Sequence, residues 1–286
     1  MKINSEHKDR LFRLLFGSEE YKENILLLYN ALNGTDYKDV SDITIYTIED
    51  VIYIKMKNDV ALLLDSYMPL WEHQSTLNPN MPVRGLMYFG QLYNKYITEK
   101  EINIYGTTLV QLPAPQYIVF YNGGKEVDPV KKLRLSSAFK GDVPSGEFEW
   151  TATMYDLNSE ANAALLNKCK PLKDYTFLIG RIRDNRNSKE TIEEAVDEAV
   201  QYCIDNDILK GLLLKHRAEV ISMVLTEFNE EVYTKGIREE GRQEILKAIY
   251  NLVESGKLSI QDAAEELNVS VAQLKQHMAD KGHLIL

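Results

Sequence analysis

The amino-acid sequence predicts an α/β fold, with a mixed β-sheet flanked by helices and followed by a helical C-terminal region. Two short apolar stretches, at 59–64 and 68–74, are separated by a tight turn, which is typical of a β-hairpin. A helical pattern follows from Pro82 to about Ile97, and another apolar stretch at 116–121 ends in Asn-Gly-Gly. Strand, strand, helix and strand in this order favour a mixed sheet with helical cover.

The segments around this core have patterns of their own. Residues 5–32 repeat leucine and isoleucine at helical spacing, and the Asn-Gly pair that follows would end this helix in a left-handed cap. Residues 43–54 are rich in β-branched residues and predict extended structure. Residues 124–158 hold many Gly, Pro and Ser and predict irregular structure, whereas the chain from Ser159 onward is almost entirely helical in pattern. We therefore expect a core at 1–158, a helical extension packed on it at 159–235 and a helical tail at 236–286.

The tail has a two-helix pattern. Ser259 and Ser270 are placed to cap two short helices, and Asn268 tolerates the left-handed turn between them. The shared core would consist of four apolar residues: Ile260, Leu267, Val269 and Leu274. This pattern predicts a helix-turn-helix. A helical hairpin used for dimerisation is an almost equally good interpretation, because the second helix contains only one cation, Lys275.

The composition limits the class of protein. The 286 residues are 44% hydrophobic and 27% charged, as in an ordinary globular protein. Cys169 and Cys203 are too few for a disulfide scaffold, and we expect two buried free thiols. We expect no membrane span, because the chain has no apolar run of about 18 residues. The N-terminal residues lack the core of a signal peptide, so we expect a cytoplasmic location. The net charge of −10 argues against broad coating of nucleic acid.

The predicted hairpin carries a candidate metal site. Because strands alternate faces, Glu72 and Gln74 should point to one side and the side chain of His73 to the other. If the two strands pair, the carboxylate of Asp59 can lie beside that of Glu72, and two carboxylates on rigid strands suit a hard divalent cation. Asp59, Glu72 and the backbone carbonyl of His73 would then bind Mg²⁺, while Gln74 would hydrogen-bond the attacking water or the scissile phosphate. Taken alone, such a spaced pair of acids is more often structural.

Three further residues are weaker candidates. Asp9, on the opening helix, would add a metal carboxylate, although a surface or capping role is a slightly better interpretation. Arg84, Tyr88 and Gln91 fall on one stripe of the helix after the hairpin. Arg84 and Gln91 would face a phosphate of DNA from there, whereas Tyr88 is predicted to lie in the core.

A resemblance to a known family raises the weight of the metal site. Six segments occur in order: 8–12 (KDRLF), 28–34 (LYNALNG), 57–60 (KNDV), 72–76 (EHQST), 78–82 (NPNMP) and 121–123 (YNG). Together they resemble the recombination-promoting nuclease / transposase (Rpn) family, within the PD-(D/E)XK nuclease superfamily. The match spans about residues 5–235.

The resemblance implies a restriction-endonuclease-like core and a DNA endonuclease that uses one or two Mg²⁺ ions in recombination, mobile-element biology or defence. On that pattern Asp59 answers to the motif's first aspartate, Glu72 to its acidic residue and Gln74 to its lysine. A glutamine amide can hydrogen-bond but carries no charge. The alternatives are therefore a catalytically weak or inactive DNA-binding or assembly protein that keeps the nuclease fold, and a pure interaction protein that oligomerises through its tail. A homodimer through the C-terminal helices would let one site per chain cut both strands.

Overall fold

A computed structural model describes residues 10–47, 60–144, 147–186 and 191–281, with only the backbone described at 227, 229–241 and 244. The chain divides into two compact units, Met1–Glu227 and Phe228–Leu286. The predictions made for Asp9, for Asp59 and for extended structure at 48–54 lie outside the described residues.

The first unit contains one six-stranded mixed sheet in the order β1-β2-β3-β4-β6-β5. Its strands are β1 (Ile43–Ile45), β2 (Val60–Leu64), β3 (Tyr67–Gln74), β4 (Ala114–Tyr121), β5 (Val130–Arg134) and β6 (Thr151–Asp156). The strands β1, β2 and β3 form an antiparallel meander, with Val60 opposite Trp71. The strands β3, β4 and β6 are parallel, and β5 closes the edge antiparallel to β6.

Helices flank both faces of this sheet, as predicted. The first unit contains the helices α1 (Arg10–Phe16), α2 (Lys22–Asn33), α3 (Met81–Glu99), α4 (Ala163–Lys168), α5 (Lys170–Arg186) and α6 (Ile192–Asp205). The crossover helix α3 joins β3 to β4 and buries Tyr88, Phe89 and Leu92 against one face. Phe12 of α1 and Tyr175 of α5 pack on the other face. Cys169 and Cys203 are free and buried, as expected.

Two predictions about this unit were wrong in part. The opening pattern at 5–32 forms two helices instead of one, because α1 ends before Gly17 and a 3₁₀ turn at Glu19–Tyr21 precedes α2. A Cβ at Gly17 would lie 2.9 Å from the Arg13 carbonyl oxygen and 3.1 Å from a methyl group of Val60, so this position between the two helices suits glycine. The stop after Asn33 is confirmed, since Gly34 has a φ of 66°. The segment 124–158, predicted to be irregular, contains β5 and β6.

The second unit is helical, as predicted for the tail. The helix α7 (Lys210–Glu254) contains the boundary between the units and is followed by α8 (Ile260–Glu266) and α9 (Val271–Asp280). The buried core of the second unit consists of Tyr250, Ala263, Ala264, Leu274 and Met278. Ser259 and Ser270 cap α8 and α9, and Asn268 has a φ of 53°. The predicted caps and turn are therefore confirmed. Within the described residues, no helix combines the length and the hydropathy needed to cross a membrane.

Candidate functional site

The candidate site is built on the last residues of β3, at the centre of the sheet. Met68 and Leu70 of this strand pack on the α3 side, and alternation continues this side through Glu72 and Gln74. The loop after β3 turns at Asn80, and Pro82 lies in the first turn of α3, where its missing N–H leaves no bond unmade. Glu72 and Gln74 share this face of the strand, as strand alternation predicted. The start of α3 lies over the same face.

Arg84 of α3 joins three groups at this point. Its Nη2 lies 2.7 Å from Oε2 of Glu72, and its Nε and Nη2 donate to the Tyr88 hydroxyl at 3.3 and 2.8 Å. In the amide orientation that gives both ends of Gln74 a partner, the Gln74 oxygen accepts from Nη1 of Arg84 at 2.9 Å, and its nitrogen donates to the Thr76 carbonyl at 3.1 Å. One guanidinium thus contacts the two sequence-predicted residues of β3 and a tyrosine of its own helix.

Burial and charge make this ion pair unusual. The side chain of Glu72 is 1% exposed and that of Arg84 is 29% exposed. Burial opposes the positive charge of Arg84, but the Glu72 carboxylate and the Tyr88 hydroxyl outweigh that effect and raise the pKa of Arg84 above its usual value. A carboxylate this deeply buried needs a cation beside it, and Arg84 supplies one.

A glycine allows α3 to come this close to the sheet. A Cβ at Gly85 would lie 2.4 Å from a ring carbon of Tyr117 on β4 and 3.0 Å from the indole nitrogen of Trp150. Any side chain at this position would require α3 or the ring of Tyr117 to shift. Because Arg84 is the neighbouring residue, its distance to Glu72 depends on this contact.

His73 faces the opposite side of the sheet, as strand alternation predicted. Its Nε2 lies 3.0 Å from the Tyr175 hydroxyl of α5, and its ring stacks against Phe12 with ring centres 5.7 Å apart. Its side chain is buried among aromatic rings and is separated from Glu72 by the sheet. Of the atoms of His73, the backbone carbonyl oxygen is therefore the remaining candidate ligand.

The other sequence-predicted residues do not meet at Glu72 within the described part of the chain. Gln91 lies two turns after Arg84 on α3, about 10 Å along the helix, and its side-chain oxygen is buried there with no hydrogen-bond partner among the described residues. Asp59 and Asp9 lie outside those residues. Among the residues that are described, no group of three or more His, Cys, Asp or Glu side chains is placed to hold a metal ion.

Two parts of the site were missed in the sequence. Tyr88 was assigned to the core, where it is buried, but its hydroxyl also holds Arg84. Their spacing of four residues on one helix was the available signal. Asn122, one residue beyond β4, is 1% exposed, and neither end of its amide has a hydrogen-bond partner in the described structure. Its backbone N–H donates to the Gln74 carbonyl at 3.1 Å, and its carbonyl accepts from Arg183 of α5. No sequence signal indicated the contact with Arg183.

Comparison of this chain with protein-family models, with curated proteins and with solved structures found no match.

Proposed function

We propose that this chain is a Mg²⁺-dependent DNA endonuclease of the Rpn type, with a restriction-endonuclease-like core. The observation that carries the proposal is the buried carboxylate of Glu72, which shares the guanidinium of Arg84 with Gln74 at the end of a central strand. Buried charges held by specific partners are concentrated at functional sites. The mixed sheet, with α3 crossing between the parallel strands β3 and β4, supports the proposed core.

The second carboxylate of the proposed site comes from Asp59. Val60, the first described residue of β2, pairs with Trp71, the residue before Glu72. Asp59 directly precedes Val60 in the sequence and lies outside the described residues. We propose it as the second ligand on the strength of the resemblance and of this position in the sequence. Asp9 remains a weaker proposal for a further metal ligand. The binding of a second Mg²⁺ ion is a weaker proposal of the same kind.

The donor atoms suit the metal that the resemblance implies. Carboxylate and carbonyl oxygens are the ligands that Mg²⁺ prefers, and Glu72, Asp59 and the His73 carbonyl would hold the ion. When bound, Mg²⁺ would lower the pKa of a water molecule and neutralise charge on the phosphate.

The protein's own contribution is positioning. Gln74 lies on the same strand face as Glu72, and its amide can orient the attacking water or a phosphate oxygen by hydrogen bonding. The sheet fixes the separation of Glu72 and Gln74, because both belong to one regular strand.

A cleavage assay tests the proposal. Purified protein is incubated with plasmid DNA in Mg²⁺ and, separately, in EDTA. We expect cleavage only in Mg²⁺, and its loss in Glu72→Gln and Asp59→Asn, because each change keeps the side-chain size but removes a charge that holds the ion. Glu126→Gln, at an exposed position of the same unit, is the matched control and should cleave normally. Full cleavage by a correctly folded Glu72→Gln protein would contradict the proposed site.

A second candidate function is a non-catalytic DNA-binding or assembly protein that keeps the nuclease fold. One observation favours it: Arg84 already occupies one oxygen of Glu72. The resemblance points the same way, because it implies that Gln74 stands where the superfamily has lysine. On this alternative the wild-type protein binds DNA but leaves it intact in Mg²⁺.

A further inference from the structure

We propose that the edge strand β5 is a contact surface for the phosphate backbone of DNA. The inference rests on the proposed function for the choice of DNA as the partner, but it requires no metal ion. It assigns the binding of phosphates to three side chains of this strand, Lys131, Lys132 and Arg134, which we call the basic strip.

The charge of the basic strip is opposite to that of the whole chain. Residues 130–141 contain four cations and no acid, whereas the chain has a net charge of −10. Lys131, Lys132 and Arg134 are exposed, and none of them is ion-paired within the described part of the chain. Exposed cations of this kind are able to bind the oxygens of a phosphate.

The surroundings of β5 leave room for a phosphate backbone. β5 is the last strand of the sheet, and no strand among the described residues pairs with its outer side. On its inner side, the residues of β6 that pair with it, 151–155, include no acid. Glu149, just before β6, is held by the hydroxyl and the backbone N–H of Ser136 at 2.7 and 3.2 Å. The exposed Asp128 precedes the strand by two residues. These acids flank the basic strip without neutralising it.

The register of the sheet relates the basic strip to the candidate site. Lys131 pairs with Met154 of β6, which pairs with Val119 of β4. Val119 in turn pairs with Glu72 of β3. These residues form one row across the sheet, so three strand spacings separate Lys131 from Glu72 by about 14 Å. About four base-pair steps of a duplex span this distance. One duplex can therefore place one phosphate near Glu72 and another on β5.

An exposed edge strand has a second use for charge, which is to prevent pairing with a strand of another molecule. Acidic side chains serve that purpose as well as basic ones, whereas binding of phosphate requires cations. Replacing all three side chains of the basic strip by glutamate therefore separates the two roles. We expect this variant to keep the oligomeric state of the wild type in sedimentation and to bind DNA more weakly than a neutral variant.

Fluorescence anisotropy of the full-length protein with a labelled duplex of random sequence is the test, in EDTA and between 50 and 200 mM KCl. Each phosphate contact contributes about 0.9 to the slope of log affinity against log salt concentration. We expect the triple variant Lys131→Gln, Lys132→Gln, Arg134→Gln to lower this slope by about 2.7, the contribution of three contacts. Its affinity should fall most at low salt and approach that of the wild type as salt is raised.

Two control variants accompany the measurement. The triple variant Lys100→Gln, Lys168→Gln, Lys173→Gln removes the same net charge at exposed positions outside β5, and its slope should equal that of the wild type. The double variant Lys131→Arg, Lys132→Arg keeps both charges and should also keep the slope. Circular dichroism checks that each variant is folded.

The outcomes separate this inference from the proposed function. A wild-type slope in the folded glutamine variant of the basic strip would overturn the inference, and so would an equal loss in the control at Lys100, Lys168 and Lys173. New self-association with unchanged DNA binding would assign the basic strip to protection of the edge instead. If the triple variant does not fold, Lys131→Gln, Lys132→Gln decides, with an expected decrease of about 1.8. All these results leave the nuclease proposal standing, whereas absence of DNA binding by the wild type at 50 mM KCl would overturn both.

Discussion

Removing Arg84 should destabilise the first unit more than removing the charge of Glu72. Arg84→Met leaves a carboxylate that is 1% exposed without the cation 2.7 Å away. Removing one member of a buried ion pair costs about 3–5 kcal/mol, because the remaining charge loses that compensation. Glu72→Gln leaves Arg84 with a neutral partner, but the guanidinium is 29% exposed and keeps its bonds to Tyr88. We therefore expect a loss of about 1.5–3 kcal/mol in that variant, the size of one charged hydrogen bond.

Urea unfolding followed by tryptophan fluorescence measures this asymmetry. Both tryptophans of the chain, Trp71 and Trp150, belong to the first unit, so the signal reports that unit alone. The free energy of unfolding follows from the midpoint and the slope of each transition. Equal losses in Arg84→Met and Glu72→Gln, or a loss below about 1 kcal/mol in Arg84→Met, would refute the reasoning from burial.

The pH dependence of the same measurement is a second check. The substitution Arg84→Met removes a cation that favours the charged form of the Glu72 carboxylate, so the cost of the substitution is present while Glu72 is ionised and falls as protonation at low pH removes that charge. The stability difference from wild type should therefore shrink when the pH is lowered from 8 toward 5. A difference that grows over this range would contradict the loss of a compensating charge beside Glu72.

Three further predictions concern other parts of the chain. Gln74→Ala should lower the rate of DNA cleavage by roughly tenfold to a thousandfold, the effect of a lost hydrogen bond in the transition state, and equal single-turnover rates would make Gln74 structural only. Burial raises the pKa of the Cys169 thiol to about 12 and that of Cys203 to about 11, so iodoacetamide at pH 8 should label neither until urea unfolds the protein, as mass spectrometry will report; rapid labelling of the native protein would contradict their burial. Ending the chain after Gly256 should change the protein from dimer to monomer in sedimentation and weaken DNA binding only through lost avidity. An unchanged oligomeric state with lost DNA binding would instead favour a DNA-reading tail.

Local sequence signals predicted the elements whose ends are set by local chemistry. Ser259 and Ser270 cap α8 and α9 because their hydroxyls accept backbone N–H groups three residues ahead. Asn268 turns between the helices in the left-handed region, which asparagine tolerates. The alternation of β3 likewise placed Glu72 and His73 on opposite faces.

The edge of the sheet was missed because its signal differs from that of a central strand. β5 exposes Lys131, Lys132 and Arg134, as edge strands often do, so it shows no apolar alternation. β6 alternates between partly buried and buried residues, with Ala152 and Met154 inside. This pattern was readable but was outweighed by the Gly-, Pro- and Ser-rich residues before it.

The central contact of the site could not be predicted because it depends on tertiary packing. Helical spacing placed Arg84 and Tyr88 on one stripe, and strand alternation placed Glu72 and Gln74 on one face. The pairing of Arg84 with Glu72 requires the close approach of α3 to β4 that Gly85 allows. Neither the helical nor the strand periodicity gives the distance between α3 and β4. The sequence therefore predicted a phosphate, and not a carboxylate, as the partner of Arg84.

The most direct test of the account is a crystal structure of the protein soaked in Mn²⁺, with anomalous scattering used to locate the ion. We expect an anomalous peak bonded to a carboxylate oxygen of Glu72. Crystals of a protein that cleaves DNA in the same buffer, with the Arg84–Glu72 pair intact and no Mn²⁺ at Glu72, would contradict it.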